Sequence, residues 1–153
     1  MYPTRCPSAL QDHLGYWLRM VSNAVSLAFQ RKLGSEGVTV AEWVFLRTLH
    51  DVDRIAPSLL AERMGVTKGA ISKLADRLLR KGLIGRAANP EDARAHLLAL
   101  APAGRALVPR LADIADANDA AFFGALAPAE RSRIEVLLRK LAMAHDLTKP
   151  PVD

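Results

Sequence analysis

Within the stretch GVTKGAISKLADRLLRKGLIGR (65–86), Lys68, Gly69, Ser72, Lys73, Asp76 and Arg77 share one face of a helical wheel, while Ile71, Leu74, Ala75, Leu78 and Leu79 share the other. Short polar and cationic groups crowded toward the amino end of a helix suit contact with a polyanion. Lys68 and Lys73 can reach guanine edges or phosphates, Ser72 can read or anchor, and Arg77 is placed for a phosphate backbone. Gly69 costs about 1 kcal/mol of helix propensity relative to alanine, and beside Ala70 it keeps the helix slim enough to enter a groove. Thr67 caps the helix, whose free amino-terminal N–H groups suit a phosphate.

The charge distribution points the same way. Eight Lys or Arg residues (63, 68, 73, 77, 80, 81, 86 and 94) fall between Arg63 and Arg94, opposed only by Asp76, Glu91 and Asp92, and the rest of the chain is neutral. The whole formal charge of +5 therefore sits in about a fifth of the 153 residues, as expected of a nucleic-acid footprint. The competing reading is a solvated charged helix face.

Other chemistries find little to work with. The four histidines (13, 50, 96 and 145) share no motif, and there is no Gly-rich phosphate loop, nucleophile elbow or paired-cysteine spacing. No catalytic residue, cofactor or metal ligand is expected; a metal site from His13, His50 and a carboxylate ranks below satisfied or solvent-facing histidines. Cys6 is the one cysteine, which excludes an internal disulfide and fits a reducing compartment. No apolar run approaches the roughly 18 residues of a membrane span, and MYPTRCPSAL lacks an apolar secretory core. A soluble cytoplasmic protein is expected. Trp17, Trp43, Arg47 and His50 form a candidate small-molecule cavity between the first two helices; against it, the tryptophans suit a core and Arg47 can pair with Asp51 at i, i+4.

Positioning the 65–86 face requires flanking elements. Leu10, Leu14, Trp17, Leu18 and Val21 begin an apolar stripe that predicts a helix over 8–33, ended by GSEG (34–37). Thr39 and Glu42 form a capping box, with Val38 and Trp43 as its hydrophobic staple, for a helix running to about His50. Pro57 suits a first helical position and Gly65 a left-handed stop. Thr67 then caps a helix ending at Gly82, where Leu83 folds back on Leu78. Two helices of about 8 and 15 residues joined by MGVT match helix-turn-helix spacing. The runs 83–88 and 96–100 around NPEDARA read as a hairpin with a charged tip. At that tip Asp92 shares a face with Arg94 and steadies its guanidinium for a narrow minor groove. Helices from Pro102 to about Gly124 and from Pro128 to about His145 follow, and TKPPVD reads as a loose tail.

A helix-turn-helix followed by a hairpin is a winged helix, and here LAERMGVTKGAISKLADRLLRKGLIGRAANPEDARAHLLALAPAGRAL resembles the MarR family of bacterial transcription regulators. The wing motif Asp-x-Arg stands as Asp92-Ala93-Arg94 and the recognition pattern as Thr67 to Lys73. The resemblance implies a mainly α chain, one domain over 1–153. Dimerisation helices at 8–33 and 102–146 would flank a winged helix-turn-helix with a two-stranded β wing at 39–100. It implies a homodimer binding double-stranded operator DNA of pseudo-palindromic sequence, more often a repressor, released in many members by a small aromatic or phenolic effector. The DNA-binding set it implies is Ser58, Thr67, Lys68, Gly69, Ser72, Lys73, Arg77, Arg86, Asp92 and Arg94. Two positions depart from the family: Ala101 and Ala127 stand where Thr or Ser usually caps the last two helices. One branch senses hydroperoxides through a cysteine inside the first helix; here Gly15 holds that place and Cys6 precedes the helix, so a lone thiol is the default. The rival from another class is a winged helix used for protein interaction without sequence-specific DNA binding.

Overall fold

The computed structural model describes residues 6–153. The expectation that the first ten residues lack a secretory core rests partly on residues 1–5, outside those described. Six α-helices and one antiparallel hairpin follow in the order α1 (Leu14–Ser35), α2 (Val40–His50), α3 (Pro57–Met64), α4 (Lys68–Arg80), β1 (Ile84–Asn89), β2 (Asp92–Leu100), α5 (Pro102–Phe123) and α6 (Pro128–Ala144). The fold is mainly α with a two-stranded wing. No helix of the described residues is long and apolar enough to cross a membrane.

The local signals act where the sequence places them. Thr39 Oγ1 accepts the Glu42 N–H at 3.1 Å while Glu42 Oε2 accepts the Thr39 N–H at 3.2 Å, closing the capping box of α2. Thr67 Oγ1 accepts the Ala70 N–H at 3.1 Å at the start of α4. Both helices of the helix-turn-helix end in Schellman turns. At α3 the Val66 N–H donates to Ala61 O (3.1 Å) and the Gly65 N–H to Glu62 O (3.2 Å); at α4 Leu83 bonds Leu78 O and Gly82 bonds Leu79 O, each at 3.0 Å. The turns need φ of 68° at Gly65 and 70° at Gly82, where a side chain would be strained.

The core lies under this lobe. Phe45, Leu46, Leu49, Leu60, Met64, Ile71, Leu78 and Leu111 are essentially inaccessible. Ile55 extends the hairpin by one bridge, exchanging N–H···O bonds of 2.8 and 2.9 Å with Leu98. The flanking helices differ: α1 buries only Leu33 and α6 buries nothing. Where α1 meets α5, the buried Asn118 accepts from Lys32 Nζ (3.0 Å) and donates to Val25 O (3.3 Å).

Four local expectations need correction. The first helix starts at Leu14, because Leu10–Asp12 form a separate 3-10 turn and His13 is extended; it then continues through Gly34 to Ser35. The α4 helix has 13 residues, since Lys81 and Gly82 belong to the terminating turn. NPEDARA is not a loop: β2 begins at Asp92, leaving Pro90 and Glu91 at the tip. TKPPVD is docked. Lys149 Nζ donates to Glu62 O at 2.8 Å, and Val152 packs against the core. The caps missing at Ala101 and Ala127 are indeed without a side-chain acceptor, but Glu130 Oε2 accepts the Ala127 N–H at 2.8 Å and supplies half of a capping box.

Candidate nucleic-acid interface

The amphipathic pattern of α4 decides which of its groups face outward. Ile71, Leu74, Ala75 and Leu78 are buried against the lobe, so Lys68, Gly69, Ser72, Lys73, Asp76 and Arg80 are exposed. Gly69, Lys73, Asp76 and Arg80, spaced four, three and four apart, form the centre of that face. Lys68, Lys73 and Arg80 have no ion-pair partner among the described residues. Arg80 was absent from the sequence-derived set, although the same spacing could have found it.

Gly69 is informative because nothing among the described residues requires it. A Cβ there would meet only Thr67 Oγ1, at 3.9 Å, and the backbone is ordinary helix. The cost of about 1 kcal/mol in helix propensity is therefore not offset by internal packing, which leaves an external surface as the reason for its smallness.

Two flanks hold α4. On one, Arg77 Nε lies 3.6 Å from Glu42 Oε1 and Lys81 Nζ 2.8 Å from Glu42 Oε2. Arg77, expected to point at a phosphate backbone, thus turns part of its charge inward, with 47% of its side chain still exposed. On the other flank, Arg86 of β1 pairs with Asp76 at 3.5 Å, both well exposed. Between α4 and the wing runs a groove of about 380 Å³, lined among others by Ser58, Lys68, Ser72, Asn89 and His96. The structure thereby brings Ser58, at the start of α3, beside the amino end of α4. The Thr67 hydroxyl is engaged in its cap.

The wing carries a bulge. Ala88 pairs with His96 but Asn89 with Asp92, so Ala93, Arg94 and Ala95 form an unmatched excursion on β2. Asp92 Oδ1 accepts the Arg94 backbone N–H at 3.0 Å. The expected contact between Asp92 and the Arg94 guanidinium is replaced by this backbone bond, because the bulge removes the two-residue alternation that would align the side chains. Asp92 shapes the backbone, and the Arg94 side chain stays exposed and unpaired among the described residues.

The four residues expected at a small-molecule cavity are not brought together. Trp43 lines a cavity of about 230 Å³ between α1, α2 and α5 with Val25, Phe29, Ala115, Asn118 and Asp119. Trp17, Arg47 and His50 do not line it. The Trp17 Nε1–H donates to Gln11 O at 2.9 Å. Arg47 Nη1 donates to Asp51 Oδ1 at 2.6 Å, and this hydrogen bond holds the Asp51 carboxyl below its usual pKa, with His50 assisting. Spacing alone could not separate these faces of α2. Cys6 is exposed.

Residues 38–96 match the model of the MarR family. A putative transcriptional regulatory protein for the hcr operon of Thauera aromatica is 31% identical over 134 residues, spanning 87% of this chain and 81% of its own length. Among solved structures, Bordetella bronchiseptica BpsR, whose DNA binding is regulated by 6-hydroxynicotinic acid, superposes with a TM-score of 0.75 at 28% identity, covering 90% of this chain and 98% of its own. A MarR mutant from E. coli complexed with operator DNA gives a TM-score of 0.73 at 26% identity, covering 84% and 92%.

Proposed function

The chain belongs to the MarR family of transcriptional regulators, and on that premise we propose that it is a homodimeric cytoplasmic repressor, not an enzyme, that binds a pseudo-palindromic operator. Residues 1–153 act as one unit, with the winged lobe reading DNA and α1, α5 and α6 joining two subunits. The observation that carries this reading is the outer face of α4, where, among the described residues, Gly69 has no internal packing reason and Lys68, Lys73 and Arg80 have no ion-pair partner. In this reading α4 enters a major groove, with Lys68, Gly69, Ser72 and Lys73 at base edges. The amino terminus of α4 at Thr67 and Ser58 at the start of α3 meet phosphates, with Arg77 and Arg86 as outlying phosphate partners. Asp92 holds the bulge that presents Arg94 to the minor groove.

Two copies are favoured because α1 and α6 expose Leu18, Val21, Leu137, Leu138 and Leu141, an apolar surface that soluble chains rarely leave open. A two-fold axis through these helices would set the recognition helices about one DNA turn apart, roughly 10 bp. The cavity beside Trp43 and Phe29 suits a small aromatic effector whose binding releases DNA. A gel-shift with the region upstream of its own gene tests the reading. Retardation should survive excess unrelated DNA, and footprinting should show a two-fold site. Binding that unrelated DNA abolishes would favour a protein-interaction module instead.

A further inference from the structure

Glu42 is the one acidic side chain of the described residues buried to 1% exposure, and DNA contact does not explain it. Its Oε2 accepts from the Thr39 N–H (3.2 Å) and from Lys81 Nζ (2.8 Å), and its Oε1 faces Arg77 Nε (3.6 Å). Lys81 Nζ also donates to Gly37 O at 2.7 Å. One carboxylate in the first turn of α2 thus ties together the loop leaving α1, Arg77 in the last turn of α4 and Lys81 in the turn that ends it. The dipoles agree with this arrangement: an anion sits at the amino end of α2, and cations sit in the closing turn of α4.

A capping box alone asks only for an acceptor at the end of Glu42, and Thr39 already supplies the reciprocal bond. Two cations against a buried carboxylate ask for more. Burying charge is costly, and apolar groups of the same volume commonly give equal or greater stability. What an ion pair supplies that a greasy contact does not is a fixed direction. The apolar face of α4 packs without a directional bond; the Lys81 hydrogen bond and the Arg77 ion pair on one flank add a direction that constrains its roll. Among the described residues, the one ion pair on the opposite flank is the exposed Arg86–Asp76 pair, which solvent screens. The roll of α4 is therefore set mainly from the Glu42 side, and that roll aims Gly69, Lys73 and Arg80.

We propose that Glu42 is a positioning residue for operator reading: it fixes the roll of the recognition helix through Lys81 and Arg77, and its single negative charge offsets one of the two cations that would otherwise strengthen sequence-independent attraction to phosphates. The proposal rests on the DNA-binding reading above. It places a determinant of specificity on α2, away from the outer face of α4.

The consequence is a pair of affinity changes of opposite sign. Glu42→Gln keeps the shape and an acceptor for the Thr39 N–H but removes the charge. Measured by fluorescence anisotropy over a salt series, this variant should bind the upstream-region duplex about tenfold more weakly and an unrelated duplex about threefold more tightly, with a salt slope steeper by about one phosphate. Lys81→Met, at a partly exposed position, should weaken the upstream duplex about fivefold and the unrelated duplex by no more than about twofold, since Glu42 offsets one of the two cations it faces. Thr39→Ala, which loses the cap of the same turn, should lower the melting temperature and leave the ratio of the two affinities intact. If Glu42→Gln and Lys81→Met change both duplexes in parallel, as Thr39→Ala would, Glu42 is a purely structural residue and the proposal falls. A wild-type protein that does not distinguish the two duplexes overturns the regulator reading, and this inference with it.

Discussion

In the lobe from Val40 to Leu100, the apolar side chains of α2, α3 and α4 close on one another, and Phe45, Leu46, Leu49, Leu60 and Leu78 have no accessible surface. Along α6, 17 residues long, no side chain is buried, and Val136, Leu137, Leu138 and Leu141 face outward. Both regions carry apolar residues at helical spacing, but those residues meet different fates. In the lobe, turns ended by Gly65 and Gly82 bring short helices back onto each other within 60 residues. The long helices α1, α5 and α6 are too extended for the small lobe to cover. Apolar periodicity therefore marks an apolar face without saying what, if anything, covers it.

Charging the outward face of α6 separates the two regions most strongly. Leu138→Glu with Leu141→Glu should convert a species of about twice the 16.6 kDa chain mass into a monomer by light scattering, and should cut operator affinity by about a hundredfold or more, because one half-site alone remains. The circular-dichroism signal of the lobe should persist. A wild-type monomer at micromolar concentration would break the comparison.

Next in size is the wing. Arg94→Ala should leave the melting temperature nearly unchanged while weakening operator binding about tenfold, roughly 1.4 kcal/mol, as read by gel-shift. Wild-type binding by this variant would remove the wing from the interface. Because Asp92 holds the backbone of the bulge, Asp92→Asn should cost less than Arg94→Ala.

Gly69→Ala should move stability and binding in opposite directions. The melting temperature should rise, by the equivalent of up to about 1 kcal/mol, since the added methyl meets open space. Operator affinity should fall, since that space is where a groove wall would lie. A variant more stable and equally tight would mean that the outer face of α4 is not closely approached.

The smallest effect is expected at the exposed Arg47–Asp51 pair. The Arg47 hydrogen bond depresses the Asp51 pKa, so its contribution is present above the ordinary carboxylate pKa and is lost as pH falls through the depressed value. Asp51→Asn should leave the neutral-pH melting temperature almost unchanged and slightly flatten the acid limb of the stability profile, because solvent screens the pair. A large loss at pH 7 would show that α2 depends on this pair more than its exposure allows.

The sequence by itself determined the elements of the lobe and which side chains α4 turns outward. Capping at Thr39 and Thr67, stops at Gly65 and Gly82, and the stripe through Ile71, Leu74 and Leu78 are local rules: each depends on residues within about one helical turn, so spacing is enough to read them. The tertiary structure decided whatever joins distant residues. It turned Arg77 toward Glu42, 35 positions away in sequence. It docked the Lys149 tail on Glu62, and it left Trp43 at a cavity without Trp17, Arg47 or His50. It also set the bulge that redirects Asp92 from a guanidinium to a backbone N–H. In each case a side chain had a choice of partners, and the packing of whole helices, which no local pattern encodes, made it.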